Sequence, residues 1–421
     1  MRAVERVRSY FAQQIGEIAA DPALRAYGAA LVLVHGLTAG WLLSRDFASM
    51  LAAGQEAICW PLVPECDRLR LLSGPALTSA FVVYAAVSVL VAAGFLRRNW
   101  TGRATCGLAL LTIFKIFVIA LDFRLRANQH YMAFAATGVF LLVPNKRDAV
   151  RLVVVLFYFW AGTLKLDWEW ISGGGLYKPP WFFTGRWIIV ACVYVVVLEL
   201  VMVWGLLARR GWIFWTSLAQ VVVFHIFSWG IVGFFYPLLM FGLLSIFLFC
   251  RLTPLSDPPE GFGSVLLRGR ASRPVYVVAA AFSALQLTTH LYPGDTALTG
   301  EGRLFVLHMF DARIACVAYG QLKSAGSIRY VSLRGRGVRT GCDPIVIHGS
   351  ARNLCVRRDA GRLSFDDLDV HLLSRRTTDR HLKQVIDYED FCARKPRYHP
   401  FFHNDWISLA QQPFTPARRV P

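Results

Sequence analysis

The feature that most limits how this chain can fold is a series of long apolar runs between residues 27 and 288. Many extend for about 18 residues without a polar face. At about 1.5 Å per residue, a helix of that length crosses most of the roughly 30 Å hydrocarbon core of a bilayer. Candidate spans lie near 27–44, 76–96, 104–122, 130–144, 150–165, 187–208, 212–229, 231–250 and 274–290. The fourth and the last are short, as tilted or re-entrant segments are. Only 17% of residues are charged, against about 25% in soluble domains. This argues against a large soluble helical protein. The expected fold is an all-α polytopic membrane domain of eight or nine transmembrane helices over 27–290, followed by a small α+β domain.

The flanks differ from this middle. Val4, Val7, Phe11, Ile15 and Ile18 recur at helical spacing among Arg2, Arg6 and Arg8. Residues 1–26 therefore read as an interfacial amphipathic helix, and an ordinary solvated helix fits the same pattern. From 291 to 421 the chain turns polar. Ser327–Leu333 and Pro344–His348 read as short strands, and Leu373–Lys395 reads as helical.

The formal net charge of +18 would point to nucleic acid in a soluble protein. No nucleic-acid motif is present, and anionic headgroups account for the charge. Positive residues cluster in alternate loops: Arg2, Arg6, Arg8 and Arg25; Arg97, Arg98 and Arg103; Lys146, Arg147 and Arg151; Arg209 and Arg210; Arg251, Arg268, Arg270 and Arg273. The positive-inside rule makes these loops and the N-terminus cytoplasmic. The C-terminal domain is then outside. The basic stretch Arg329–Arg339 reads as solvated surface or lipid contact, or as an attractor for acidic substrates. In that orientation Cys59, Cys66, Cys316, Cys342, Cys355 and Cys392 all face an oxidising compartment. An even number there is compatible with disulfides, whose connectivity spacing does not reveal.

Ionisable residues inside a membrane are costly and are functional candidates. Lys115 falls about 10 Å inside the outer end of its span. His130, Lys165, His225, Tyr236, His290 and His308 fall near the outer ends of theirs. Together they can line one cavity in the outer leaflet, with His35 and Glu199 deeper. Each has a structural reading as well. A lysine at a helix end snorkels to headgroups, interfacial histidines are often satisfied structural residues, and Trp168, Trp170, Trp181 and Trp187 fit an aromatic belt. The joint pattern suits base chemistry. Burial disfavours a charged lysine, and a neutral amine accepts a proton. A chamber open to the outer leaflet admits a lipid-soluble quinol, and histidines orient its hydroxyls. No metal-ligand spacing, phosphate-cradling glycine loop or nucleophile elbow is present, so no metal is expected.

These residues lie in segments that resemble the vitamin K-dependent gamma-glutamyl carboxylase family and its bacterial, HTTM-type relatives. Phe157-Tyr-Phe-Trp-Ala-Gly-Thr-Leu-Lys-Leu-Asp-Trp-Glu-Trp-Ile-Ser-Gly173 resembles the family's Ala-Gly-x-x-Lys-Leu-x-x-x-Trp segment. Asn128-Gln-His-Tyr131 resembles its Asn-x-His motif. Phe224-His225 followed by Gly233-Phe-Phe-Tyr-Pro237 resembles its Phe-His and Gly-x-Phe-Pro pair. Thr299-Gly-Glu-Gly302, Phe305 and His308-Met309 resemble the segment after the last span, and Tyr388-Glu-Asp-Phe-Cys392 a helix of the outer domain. The matches are in family order and extend over about 1–400.

The resemblance implies an enzyme of a bacterial cytoplasmic membrane. Its cofactor would be reduced vitamin K of menaquinol or phylloquinol type, with O2 and CO2 as co-substrates. It would couple hydroquinone oxygenation to the epoxide with carboxylation of glutamate in a peptide or protein. Lys165 would be the base and His225 would sit at the reaction centre, while His130, Asn128, Lys115, Tyr236 and His308 bind the quinone. The resemblance also implies a disulfide from Cys59 or Cys66 to Cys392. Ser228 or Trp229 stands where relatives have Asn, and Leu298, Val306 and Leu307 where they tend to have Trp and Ser-Trp. A quinol epoxidase or oxidase without carboxylation is one alternative. A non-enzymatic membrane binding or assembly protein and a transporter with a mid-membrane site are others.

Overall fold

The computed structural model describes residues 2–176, 178, 180, 182–253, 273–304, 306–307, 314–335 and 340–409. His308 lies outside them, as do Phe305, Met309, Trp181, Arg268, Arg270 and residues 336–339 of the basic stretch.

The described residues are mostly helical, with one antiparallel sheet among them. The longer helices are α1 (Arg2–Ala20), α2 (Pro22–Ser44), α3 (Gly74–Leu96), α4 (Thr101–Ala120), α5 (Asn128–Leu142), α6 (Lys146–Leu164), α7 (Arg186–Leu200), α8 (Gly211–Val232), α9 (Phe235–Leu252), α10 (Arg273–Leu287) and α11 (Pro344–Asp359). Among the described residues, seven helical segments are long and apolar enough to cross a membrane: Pro22–Ser44, Gly74–Leu96, Arg98–Ala120, Arg186–Leu207, Gly211–Val232, Phe235–Leu252 and Arg273–Leu291. The chain reads as an integral membrane protein. The expected spans at 130–144 and 150–165 fall outside this set for different reasons. At 15 residues, α5 reaches only about 22 Å. In α6 the first turns carry Lys146, Arg147, Asp148 and Arg151.

Helix α6 is the axis of the bundle. Val150, Val153, Val154, Val155, Phe157 and Tyr158 are all buried, as expected where a helix, beyond its charged first turns, is apolar on every side. It packs against α5, α7, α9 and α10. At its N-terminal end, Lys146 Nζ donates to Gln14 Oε1 (2.7 Å) and Arg147 pairs with Asp21. These contacts fasten α1 beneath the bundle, with Val4, Val7, Tyr10 and Phe11 of α1 left exposed.

At the other end sits the sheet, in the order β2-β1-β3-β4, with β1 (Ile314–Ser324), β2 (Ser327–Ser332), β3 (Asp367–Arg376) and β4 (Lys383–Tyr388). Helix α11 covers one face, burying Ile347 and Ala351 against Ala318, Leu322, Leu368 and Leu372. It also reaches the loop between α2 and α3. Asn353 Nδ2 donates to the Ala57 carbonyl (2.9 Å) and Arg352 to that of Pro64 (2.8 Å). That loop is tied to the bundle by Asp122, which is fully buried between Arg70 and Arg124.

Three expectations are corrected. Pro344–His348 begins α11 and is not a strand. Asp343 caps that helix through the Ile345 N–H, Pro344 occupies its first turn, and its apolar run is buried on two sides, against the sheet and against Ile58 and Phe123. Leu373–Lys395 is the end of β3, all of β4 and one helical turn, Phe391–Arg394. Here the pairing of β3 with β1 and of β4 with β3 overrides local propensity. The disulfides are Cys59–Cys66, Cys316–Cys342 and Cys355–Cys392, so neither Cys59 nor Cys66 bridges to Cys392. Cys392 is buried in the sheet core with its Cα 5.4 Å from that of Cys355 on α11, within bonding range.

Candidate functional site

Tyr158, Gly162 and Lys165 follow at i, i+4 and i+7 and share one face of α6. Helix α7 crosses this face closely. A Cβ on Gly162 would lie 2.9 Å from Leu200 Cδ2 and 3.0 Å from Glu199 Cβ. The missing side chain lets Glu199 approach, and its carboxylate pairs with the Lys165 ammonium. Lys165 is 2% exposed and Glu199 0%. Lys165, which caps α6, therefore neither snorkels nor stands alone. Its Nζ also lies 5.2 Å from the centroid of Trp170, whose indole N–H donates to the Cys192 carbonyl (3.1 Å).

His225 of α8 comes to the same place. Its Nε2 and the Tyr158 hydroxyl are 2.5 Å apart, and its ring lies 5.6 Å from that of Tyr236 at the start of α9. Lys165 is within electrostatic reach of His225. Glu199 Oε1 and His225 Nδ1 are buried with no hydrogen-bond partner among the described residues. The cluster is thus a buried ion pair beside a Tyr–His pair, with one acceptor atom and one ring nitrogen unspent.

Lys115 and His130 form a second cluster. Both are buried, and Lys115 lies beside Phe134, 5.3 Å from its centroid. His35 is within electrostatic reach of both, and its Nδ1 is 2.7 Å from the Tyr84 hydroxyl. His130 packs against both Trp41 (5.2 Å) and Phe235 (6.0 Å), which stack on each other. It opens onto a cleft of about 210 Å³ lined by Trp60, Ile116, Ile119, Arg126, Tyr131 and Phe134, among others. The two clusters meet at the first turn of α9, where Phe235 flanks His130 and Tyr236 flanks His225. Asn128 is buried at the start of α5, and His290 is exposed.

The sheet domain grips the loop that follows Lys165. Arg376, at the end of β3, donates to both oxygens of Asp295 (2.7 and 2.8 Å) and pairs with Asp167. Thr377 donates from its backbone N–H (3.1 Å) and its hydroxyl (2.8 Å) to Glu169 Oε1. Burial pushes the Glu169 carboxyl above its ordinary range, against the lowering effect of the Thr377 bonds. Burial also acts to raise Asp295, but the Arg376 guanidinium holds it below the usual carboxylate range.

The arrangement therefore departs from a single outer chamber lined by all the named residues. Glu199, read as lying deeper than the chamber residues, is the partner of Lys165, and His35, also read as deeper, joins Lys115 and His130. An acidic residue alone in an apolar run opposite a lone lysine was the available signal, since an intramembrane charge calls for a counter-charge. Tyr158 was legible as the residue two turns before Lys165.

Comparison with protein-family models, with curated proteins and with solved structures finds no match for this chain.

Proposed function

We propose that the chain is a quinol-dependent membrane enzyme of the vitamin K-dependent carboxylase type, with nine crossings and the sheet domain outside the bacterial cytoplasmic membrane. The observation that carries this reading is the sealed Lys165–Glu199 pair beside Tyr158–His225. In low dielectric such a pair has two forms of equal net charge, ammonium with carboxylate and amine with carboxylic acid. A proton can pass between them without creating an isolated buried charge. Clustering of the far-end positives Lys146, Arg147 and Arg151 near α1 fits the orientation.

The unspent Glu199 Oε1 and His225 Nδ1 fit a dihydroxy-aromatic ligand, whose hydroxyls would donate to them. A bound quinol supplies reducing equivalents and, with oxygen, a strong base. The residues of this chain would hold and move the proton. Lys165–Glu199 takes it from a quinol hydroxyl, Tyr158–His225 orients the ring, and Tyr236 closes one side. The cleft beside His130 would give apolar molecules a path from the lipid. Arg376, Thr377 and the loop they hold bring the outer domain, where a glutamyl peptide would dock, next to the base.

The test is incubation of purified protein with reduced vitamin K, oxygen, labelled carbonate and glutamyl peptides, scoring epoxide and fixed label separately. Both products are expected. Epoxide without label reduces the protein to a quinol oxidase, and neither product removes the enzymatic reading.

A further inference from the structure

The second cluster, whose Lys115 and His130 the resemblance assigns to quinone binding, contains an anomaly of its own. Lys115 Nζ and both ring nitrogens of His130 are buried and lack a hydrogen-bond partner among the described residues. The two side chains are 1% and 2% exposed. Buried polar atoms in native structures are nearly always satisfied, so three such atoms in one cluster call for an absent group. That group must reach the site through apolar surroundings, since the lining beside His130 is aromatic and aliphatic apart from Arg126. It must also present acceptors to an amine and to an imidazole.

We propose that Lys115 binds CO2 covalently and reversibly as a carbamate, with His130 as the proton acceptor. Carbon dioxide is small, dissolves in apolar media and reacts with the uncharged form of a desolvated lysine, a recognised nucleophile. The lone pair of Nζ forms the N–C bond, and the π pair of one C=O bond moves to its oxygen. The proton released from nitrogen passes to a ring nitrogen of His130. No oxidant or further reactant is needed. An amine, an imidazole and CO2 become a carbamate anion beside an imidazolium, with no change in net charge. The new oxygens accept from the imidazolium, which satisfies groups now left unspent. The other titratable or charged groups near the cluster are His35 and Tyr84, which are bonded to each other, and Arg126 and Tyr131, which line the cleft beside His130. Phe134, Trp41 and Phe235 shield the site from water, which would otherwise compete for the amine.

This inference does not depend on quinol chemistry, and its test uses none. The full-length protein in lipid nanodiscs is equilibrated with 13C-bicarbonate. Carbamates are then fixed by O-alkylation with triethyloxonium, and the digest is read by mass spectrometry with the α-amino terminus as an internal control. The expected result is a 13C-ethoxycarbonyl group on Lys115, absent in Lys115→Arg. In His130→Phe the label should fall about tenfold, as for loss of one charge-assisted hydrogen bond to a buried anion. Wild-type Lys115 left unlabelled while the terminal amine is labelled would overturn the proposal. Undiminished label in a folded His130→Phe would overturn the role given to His130. The wild-type result alone decides the site if that variant fails to fold.

Discussion

At the scale of single residues, Gly162 explains how the candidate base is assembled. It sits in a helix, where glycine costs up to about 1 kcal/mol relative to alanine, yet a Cβ there would press on Leu200 and Glu199. Overpacking of a tight contact costs about 1–3 kcal/mol, so crowding outweighs the gain in helix propensity. Gly162→Ala is expected to lower stability slightly and turnover more, because α7 must move and take Glu199 away from Lys165. Comparison of Tm with kcat on the proposed quinol substrate checks this, and a higher Tm with unchanged kcat would contradict it. Much of this site was readable in the sequence, since Tyr158, Gly162 and Lys165 share a helical face by spacing alone. Glu199 was not, because its depth depends on how α7 crosses α6, and no local pattern encodes a crossing.

At the scale of elements, the contact between β3 and the loop after α6 couples the two parts of the chain. Arg376 joins Asp295 and Asp167, so the segment that follows the last helix of the bundle and the loop after Lys165 are held by one guanidinium. Arg376→Ala is expected to cost roughly 2 kcal/mol, a typical value for hydrogen bonds to charged groups. It should also increase backbone exchange in 166–172 while leaving α1 unchanged, which hydrogen–deuterium exchange reads directly. Uniform protection in the variant would show that this contact holds nothing in place. The sheet domain was less legible than the bundle for a physical reason. Long apolar helices declare themselves by composition, whereas Pro344–His348 and Leu373–Lys395 take their structure from partners distant in sequence. The pairing of Cys355 with Cys392 is a further case, because α11 had to be recognised as a helix before the two sulfurs could be placed together.

At the scale of the whole molecule, the sheet domain should respond to pH through His348. Its Nε2 donates to the Pro396 carbonyl (2.7 Å) and its ring stacks on Trp406 (5.2 Å). Burial lowers its proton affinity, with the Pro396 bond acting in the opposite direction. A histidine held neutral in the fold contributes stability above its unfolded pKa of about 6.5. That contribution is lost as pH falls towards the depressed folded value, because the unfolded chain then binds more protons. Tm should fall as pH is lowered from about 7 to 5, with a shallower slope in His348→Gln, which keeps a donor for Pro396 but does not titrate. Equal slopes would exclude His348 as the source. The architecture as a whole, apolar helices followed by a polar domain, was evident from the sequence. The division of the buried ionisable groups into two clusters was not, because it depends on the first turn of α9 inserting Phe235 and Tyr236 between them.

In the proposed chemistry Lys165 and Glu199 act as one buried proton-accepting unit. The most direct measurement is quinol-dependent oxygen consumption by folded wild-type, Lys165→Ala and Glu199→Gln proteins in nanodiscs. The expected outcome is a loss of roughly 10²- to 10⁴-fold in each variant, the range for removal of a general base. The double variant should be little worse than either single one, since residues that act as a unit are not additive. Folded Lys165→Ala protein that consumes oxygen at the wild-type rate would contradict the central claim.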